Sequence, residues 1–218
     1  MKKENKCNIW LAAGLLLAFV LWTVLVRFVD VQAIGPEDSA VGFATVNKAV
    51  HNLTGVHLAL YTLTDWLGLV PIGFVVGFAG LGLWQWIKRK HLKFVDYHIF
   101  VLGGFYIAVM AVYVLFEKIP INYRPVLLDG LLEVSYPSST TMLVMCVVPA
   151  AMMQFNRRIK NKTLKRILCS LMALFVVFMV IGRLISGVHW LTDIIGGILL
   201  SAGLVMMYNS LIGGNNHE

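Results

Sequence analysis

Two segments of the chain, Lys118-Ile-Pro-Ile-Asn-Tyr-Arg124-Pro125 and Gly182-Arg183-Leu-Ile-Ser-Gly-Val-His189-Trp-Leu-Thr-Asp193, hold the side chains that phosphate chemistry needs. His189 and Asp193 are four residues apart, so on a helix they share one face and the carboxylate can fix the imidazole in one tautomer. Arg183 lies one short loop upstream, where a guanidinium fork suits phosphate oxygens. A histidine held beside phosphate-binding cations is set up as a nucleophile toward phosphorus.

The elements that must position these residues are membrane spans. The composition is 59% hydrophobic with 13% charged residues, and the 218-residue chain is threaded by long apolar runs. Runs near 20 residues read as transmembrane helices rather than as elements of a soluble domain. Six spans are expected, over 9–28, 67–87, 98–116, 138–155, 167–186 and 190–212, giving an all-α integral membrane bundle in a single domain, 1–218. Lysines precede the first run as they precede a signal peptide, but Trp22, Val26 and Arg27 stand where a small-residue cleavage site belongs. A retained anchor is expected.

Charge sorts the loops into two sides. Three lysines at the N-terminus (Lys2, Lys3, Lys6), four basic residues over 88–93 and six over 157–166 put thirteen of the eighteen basic residues on one side. The positive-inside rule makes that side cytoplasmic, and both termini with it. Eight of the eleven acids fall on the opposite side. The net charge of +7 is thereby explained by topology, and no nucleic-acid partner is implied. Five basic residues remain outside: Arg27, Lys48, Lys118, Arg124 and Arg183. Snorkelling to the headgroups accounts for Arg27 and Lys48. The other three belong to the two segments above and emerge at one face, which makes them a site hypothesis.

A third segment reaches that face. Ser135-Tyr-Pro137-Ser138-Ser139-Thr140-Thr141 opens the fourth span with proline and hydroxyl residues, as a helix N-terminus does. Such a terminus offers free N–H groups to an anion. Between about residues 38 and 65, Val41, Ala44, Val46, Val50 and Leu53 recur at roughly helical spacing, so an amphipathic helix is expected in this outer loop. It either shields an entrance or simply packs on the bundle.

These residues resemble the type 2 phosphatidic acid phosphatase family, the membrane branch of a superfamily that includes the vanadium haloperoxidases. That family carries three motifs: Lys-x6-Arg-Pro, Pro-Ser-Gly-His and Ser-Arg-x5-His-x3-Asp. The third matches from Arg183 through His189 to Asp193, with Gly182 in place of serine. The first matches at Lys118, Arg124 and Pro125 with five intervening residues, and the second at Pro137 and Ser138, with Ser139 and Thr140 replacing glycine and histidine.

The resemblance implies that His189 attacks phosphorus to give a phosphohistidine, that Asp193 orients it, and that Lys118, Arg124 and Arg183 bind phosphate oxygens. Ser138, Ser139 and Thr140 would add hydrogen bonds. It implies neither metal nor cofactor, and a lipid phosphate or diphosphate as substrate, such as an undecaprenyl diphosphate, phosphatidic acid or phosphatidylglycerol phosphate. The loop charges already put the site on the extracytoplasmic side, and a bacterial plasma membrane is the expected setting. Thr140 occupies the position of the family's general acid, and a threonine hydroxyl is far too weak an acid for that role. Three readings stay open: a leaving group that needs no proton, another acid such as Asp129, Glu133 or a bound water, or a protein that binds lipid phosphates without turning them over. Sequence is silent on the oligomeric state.

Overall fold

The computed structural model describes residues 3–213; Lys2 and His217 lie outside them. Eight helices follow one another: α1 Lys3–Phe28, α2 Ala44–Thr54, α3 Leu58–Leu67, α4 Leu69–Arg89, α5 Tyr97–Lys118, α6 Ser139–Arg158, α7 Lys162–Ile185 and α8 Leu191–Gly213. Two-residue strands, β1 Gln32–Ala33 and β2 Ala40–Val41, pair antiparallel in the loop after α1. Six spans are long and apolar enough to cross a membrane: Cys7–Phe28, Leu58–Arg89, Tyr97–Lys118, Ser139–Arg158, Lys162–Ile185 and Leu191–Gly213. Helices suit that environment because every backbone polar group is satisfied within the segment.

Two boundaries differ from expectation, each for a local reason. The second span starts at Leu58 because α3 runs into α4 through Gly68, whose αR backbone barely interrupts the helix. Apolarity alone could not see this, since Thr62, Thr64 and Asp65 dilute the first turns. The fifth begins at Lys162 because the Asn161 side chain accepts from the backbone N–H groups of Thr163 and Leu164, both at 3.0 Å. An N-cap of this kind sets the helix start before the apolar run begins.

α6 and α8 form the centre of the bundle, half or more buried, while α4 is the least covered span. α8 packs chiefly on α1 and α6. Gly196 of α8 lets the Tyr136 ring lie on the helix, since a Cβ there would stand 2.6 Å from a ring carbon. α2 is tied to the start of α8: buried Asn47 donates to Thr192 Oγ1 (3.0 Å) and accepts from the Thr192 N–H (3.2 Å). Val46 and Leu53 of α2 face outward, Leu53 at 87% exposure.

Candidate active site

All the site elements meet at one end of the bundle, where α5 and α7 finish and α3, α6 and α8 begin. Arg183 sits in the last turn of α7 and is 1% exposed. Its guanidinium lies over the Tyr61 ring at 4.8 Å, reaches Thr64 Oγ1 at 3.4 Å and pairs with Asp65 at 3.7 Å. Three contacts from α3 therefore aim one fork.

Arg124 comes from the segment between α5 and α6, which folds into a small hairpin. Its backbone N–H donates to the Glu133 carbonyl (3.0 Å), and Leu128 and Leu131 exchange both backbone bonds around Asp129-Gly130. Both turn residues have positive φ, 50° and 75°, as a two-residue type I′ turn requires. Asp129, one of the acids entertained from sequence, is thus a turn residue. The hairpin lays Arg124 against Glu133, whose carboxylate accepts from Nε at 2.9 Å.

His189 lies in the turn between α7 and α8 rather than on a helix. That turn is fixed from three sides. Gly187 has φ +70° and approaches Gly55 so closely that a Cβ would stand 2.0 Å from its carbonyl oxygen, so only glycine fits. The Ser186 carbonyl accepts from the His57 N–H at 2.9 Å. Trp190 is 3% exposed and donates through its indole N–H to the Tyr123 carbonyl at 2.7 Å. It locks the histidine turn to the arginine hairpin.

The two arginines and the histidine converge. Nε2 of His189 stands 3.2 Å from an Arg124 nitrogen and 3.4 Å from an Arg183 nitrogen. Burial holds the imidazole well below the ordinary histidine range, and the Arg124 and Arg183 charges push the same way. His189 is therefore neutral, with a lone pair on Nε2 directed between two forks. On its other side Nδ1 faces Asp193 Oδ2 at 3.7 Å, an electrostatic contact longer than a hydrogen bond. Asp193, in the first turn of α8, is itself held: Oδ2 accepts from the Trp190 N–H (3.0 Å) and Oδ1 from the Asn122 amide (3.1 Å). Asn122 lies inside the first segment but carries no sequence signal that marks it as an anchor.

The remaining sequence candidates divide. Ser138 is buried and caps α6, its Oγ 3.4 Å from the Thr141 N–H, while its own N–H donates to the Asp193 carbonyl at 3.1 Å. Ser139 borders a cavity of about 20 Å³ that His189 also lines, together with Tyr113, Glu117 and Ser135. Thr140 faces a different space, a groove of about 310 Å³ between α4, α5 and α6 lined by Asp65, Leu69, Ile72, Val109, Met110 and Leu143. Cavity and groove adjoin through Tyr113, Ser139 and Met142. Lys118 ends α5, is exposed, and makes no contact with the arginine–histidine cluster among the described residues. Glu117, Asp65, Thr64 and Tyr61 were not expected at the site. A single Glu at a helix end or a Tyr in an apolar run gives no periodicity to notice.

The sequence profile of the family described as the PAP2 superfamily matches residues 72–216. The chain belongs to that superfamily. No curated protein sequence matches it. The solved structure described as the first transmembrane PAP2 type phosphatidylglycerolphosphate phosphatase from Bacillus subtilis is similar over 95% of this chain and 97% of that chain, with a TM-score of 0.55 and 17% identity. At that identity the likeness is one of fold, and it agrees with a six-span PAP2 bundle. Within the PAP2 match fall α5 through α8 and every site residue except those on α3.

Proposed function

We propose that the protein hydrolyses the phosphate or diphosphate of a lipid through a phosphohistidine at His189. One observation carries this reading: two buried guanidiniums converge within 3.4 Å of the Nε2 of a neutral imidazole. A phosphoryl group seated there takes over the arginine N–H donors in bidentate fashion and presents phosphorus to the lone pair. Arg124 and Arg183 then balance the charge that spreads over the equatorial oxygens as the P–O bond breaks. Asp193 stabilises the imidazole as it acquires positive charge, and Lys118 meets the headgroup at the rim. Water attacks phosphorus, the P–N bond breaks, and phosphate leaves. Side chains supply the positive charge throughout, so the reading needs no metal.

The lipid part of the proposal is supported by the apolar groove that adjoins the polar cavity, since a headgroup at His189 places its tail among Leu69, Ile72, Val109 and Met110. Family membership points the same way, as does the printed name of the structural neighbour, a phosphatase of phosphatidylglycerolphosphate. Isoprenoid diphosphates, phosphatidic acid and phosphatidylglycerol phosphate are the substrates to assay. The distribution of basic residues supports an extracytoplasmic site.

Phosphate release from a panel of these lipids tests the reaction. His189→Ala is expected to abolish release while the protein still inserts; unchanged turnover would overturn the mechanism, and binding without turnover by the wild type would favour a lipid-phosphate binding protein. For the face, a cysteine at Asp129 should react with an impermeant reagent added outside the cell and one at Asn161 should not. The reverse pattern would move the site to the cytoplasm.

A further inference from the structure

Cleaving an alkyl phosphate ester requires a proton for the departing oxygen, and the arginine–histidine cluster has none to give. Arginines stay protonated, Nε2 of His189 is the attacking atom, and the hydroxyl of Thr140 is too weak an acid. The position of the missing donor can be deduced. The leaving oxygen joins headgroup to tail, so it must sit where the polar cavity opens into the apolar groove. Tyr113, Ser139 and Met142 line both spaces and mark that junction.

We infer that Glu117, one helical turn beyond Tyr113 on α5, is the acid that protonates the leaving oxygen. It lines the same cavity as His189 and Tyr113. Other acids at this end are engaged elsewhere. Asp65 is the counter-ion of Arg183, Glu133 that of Arg124, Asp193 sits behind the imidazole, and Asp129 is in the hairpin turn. Glu117 is the carboxyl that borders the reaction cavity while pairing with neither arginine.

The step balances. As Nε2 bonds to phosphorus and the P–O bond breaks, the Glu117 proton moves to the departing oxygen, giving a lipid alcohol and a Glu117 carboxylate. A cavity of about 20 Å³ has room for one water beside that carboxylate. The carboxylate takes a proton from this water as it attacks phosphorus, the P–N bond breaks, and both Glu117 and His189 return to their starting forms.

This inference rests on the phosphohistidine reading, and the test separates the two. Glu117→Gln keeps the shape but has no acidic proton to transfer. The quantity to compare is kcat/KM, which reports phosphoenzyme formation, for a lipid monophosphate and for para-nitrophenyl phosphate, whose leaving group departs as a stable anion. Expected is a loss of about 10²–10³-fold on the lipid ester and under about tenfold on the nitrophenyl ester. Thr140→His in the Glu117→Gln background should recover part of the lipid activity. Equal losses on both substrates, or no loss, overturn the assignment. His189→Ala is the control: if it is inactive while Glu117→Gln is unimpaired, only the acid is wrong, whereas an active His189→Ala brings down the phosphohistidine with it.

Discussion

Arginines gather at both ends of this bundle, and they are used in opposite ways. At the end away from the site, Arg89 and Arg158 pair with Asp96 at 3.1 and 3.4 Å, with their side chains 45% and 32% exposed. Gln85 exchanges two hydrogen bonds with Asp96, and Arg157 bonds His98 (2.9 Å) and the Ile212 carbonyl (3.0 Å). Each of these three arginines has an acceptor outside its own helix, so the network staples helix ends together. At the site end the forks are buried, and although Glu133 and Asp65 each pair with one of them, both also direct a nitrogen at the same neutral Nε2 of His189. Two positive groups held that close repel one another. An end whose paired arginines still converge on one lone pair is an anion site, and one whose arginines only join neighbouring elements is a clamp.

The largest expected effect comes from breaking the fork geometry without removing charge. Arg183→Lys keeps the cation but loses the bidentate reach and the platform on Tyr61, so kcat/KM for lipid phosphate should fall by about 10²–10³-fold. Arg157→Lys at the clamp end should change it by less than about twofold. Equal effects at both ends would erase the distinction drawn above.

Next in size is the turn that carries His189. Gly187→Ala requires a left-handed backbone of a residue with a Cβ and drives that Cβ against the Gly55 carbonyl. Displacing the nucleophile by about 1 Å is enough to cost about 10²-fold in rate. Activity should therefore drop far more than thermal stability does. A variant with native activity would mean that the turn is looser than its contacts indicate.

Much of this was legible in the sequence, and the reasons for the rest are physical. Six spans and their all-α character followed from apolar runs, because lipid imposes a length and a composition on every crossing. His189, Asp193, Arg124 and Arg183 were marked by chemical type and spacing, and they converge. Lys118 carried the same kind of signal and stays apart, because α5 ends before the hairpin turns inward. Asn122, Asp65 and Glu117 were illegible as site residues. Their roles depend on which helix ends meet, and a lone polar residue beside an apolar run reads as an ordinary terminus.

A smaller effect concerns pH. Burial and two adjacent guanidiniums depress the affinity of His189 for protons, so its neutral, nucleophilic form persists as pH falls through the ordinary histidine range near about 6.5. The kcat/KM profile should then show no acid limb from His189 between about pH 8 and about pH 6. The sign carries over to stability. A histidine whose folded proton affinity lies below the unfolded value contributes stability above the unfolded pKa and loses it as pH falls. An acid limb centred near 6.5 that shifts on Arg124→Gln would show that the imidazole is solvated, and would move the site end closer to the clamp end in character.

The smallest effect tests the clamp directly. Asp96 accepts from Gln85 at 2.8 Å and pairs with both Arg89 and Arg158, so Asp96→Asn removes charge from three interactions at once while leaving an acceptor oxygen in place. Exposed ion pairs contribute about 0–1 kcal/mol each, and the residual hydrogen bonding of asparagine offsets part of the loss. A reduction of about 1 kcal/mol in stability is therefore expected, read as a small drop in the thermal midpoint of the detergent-solubilised protein. Phosphate release should stay within about twofold of wild type, because α5 and α6 span the full bundle between Asp96 and the site and their packed faces do not depend on this charge. A tenfold loss of activity without a matching loss of stability would show that the clamp governs how α5 presents Tyr113 and Glu117, and the two ends would then have to be treated as one coupled device.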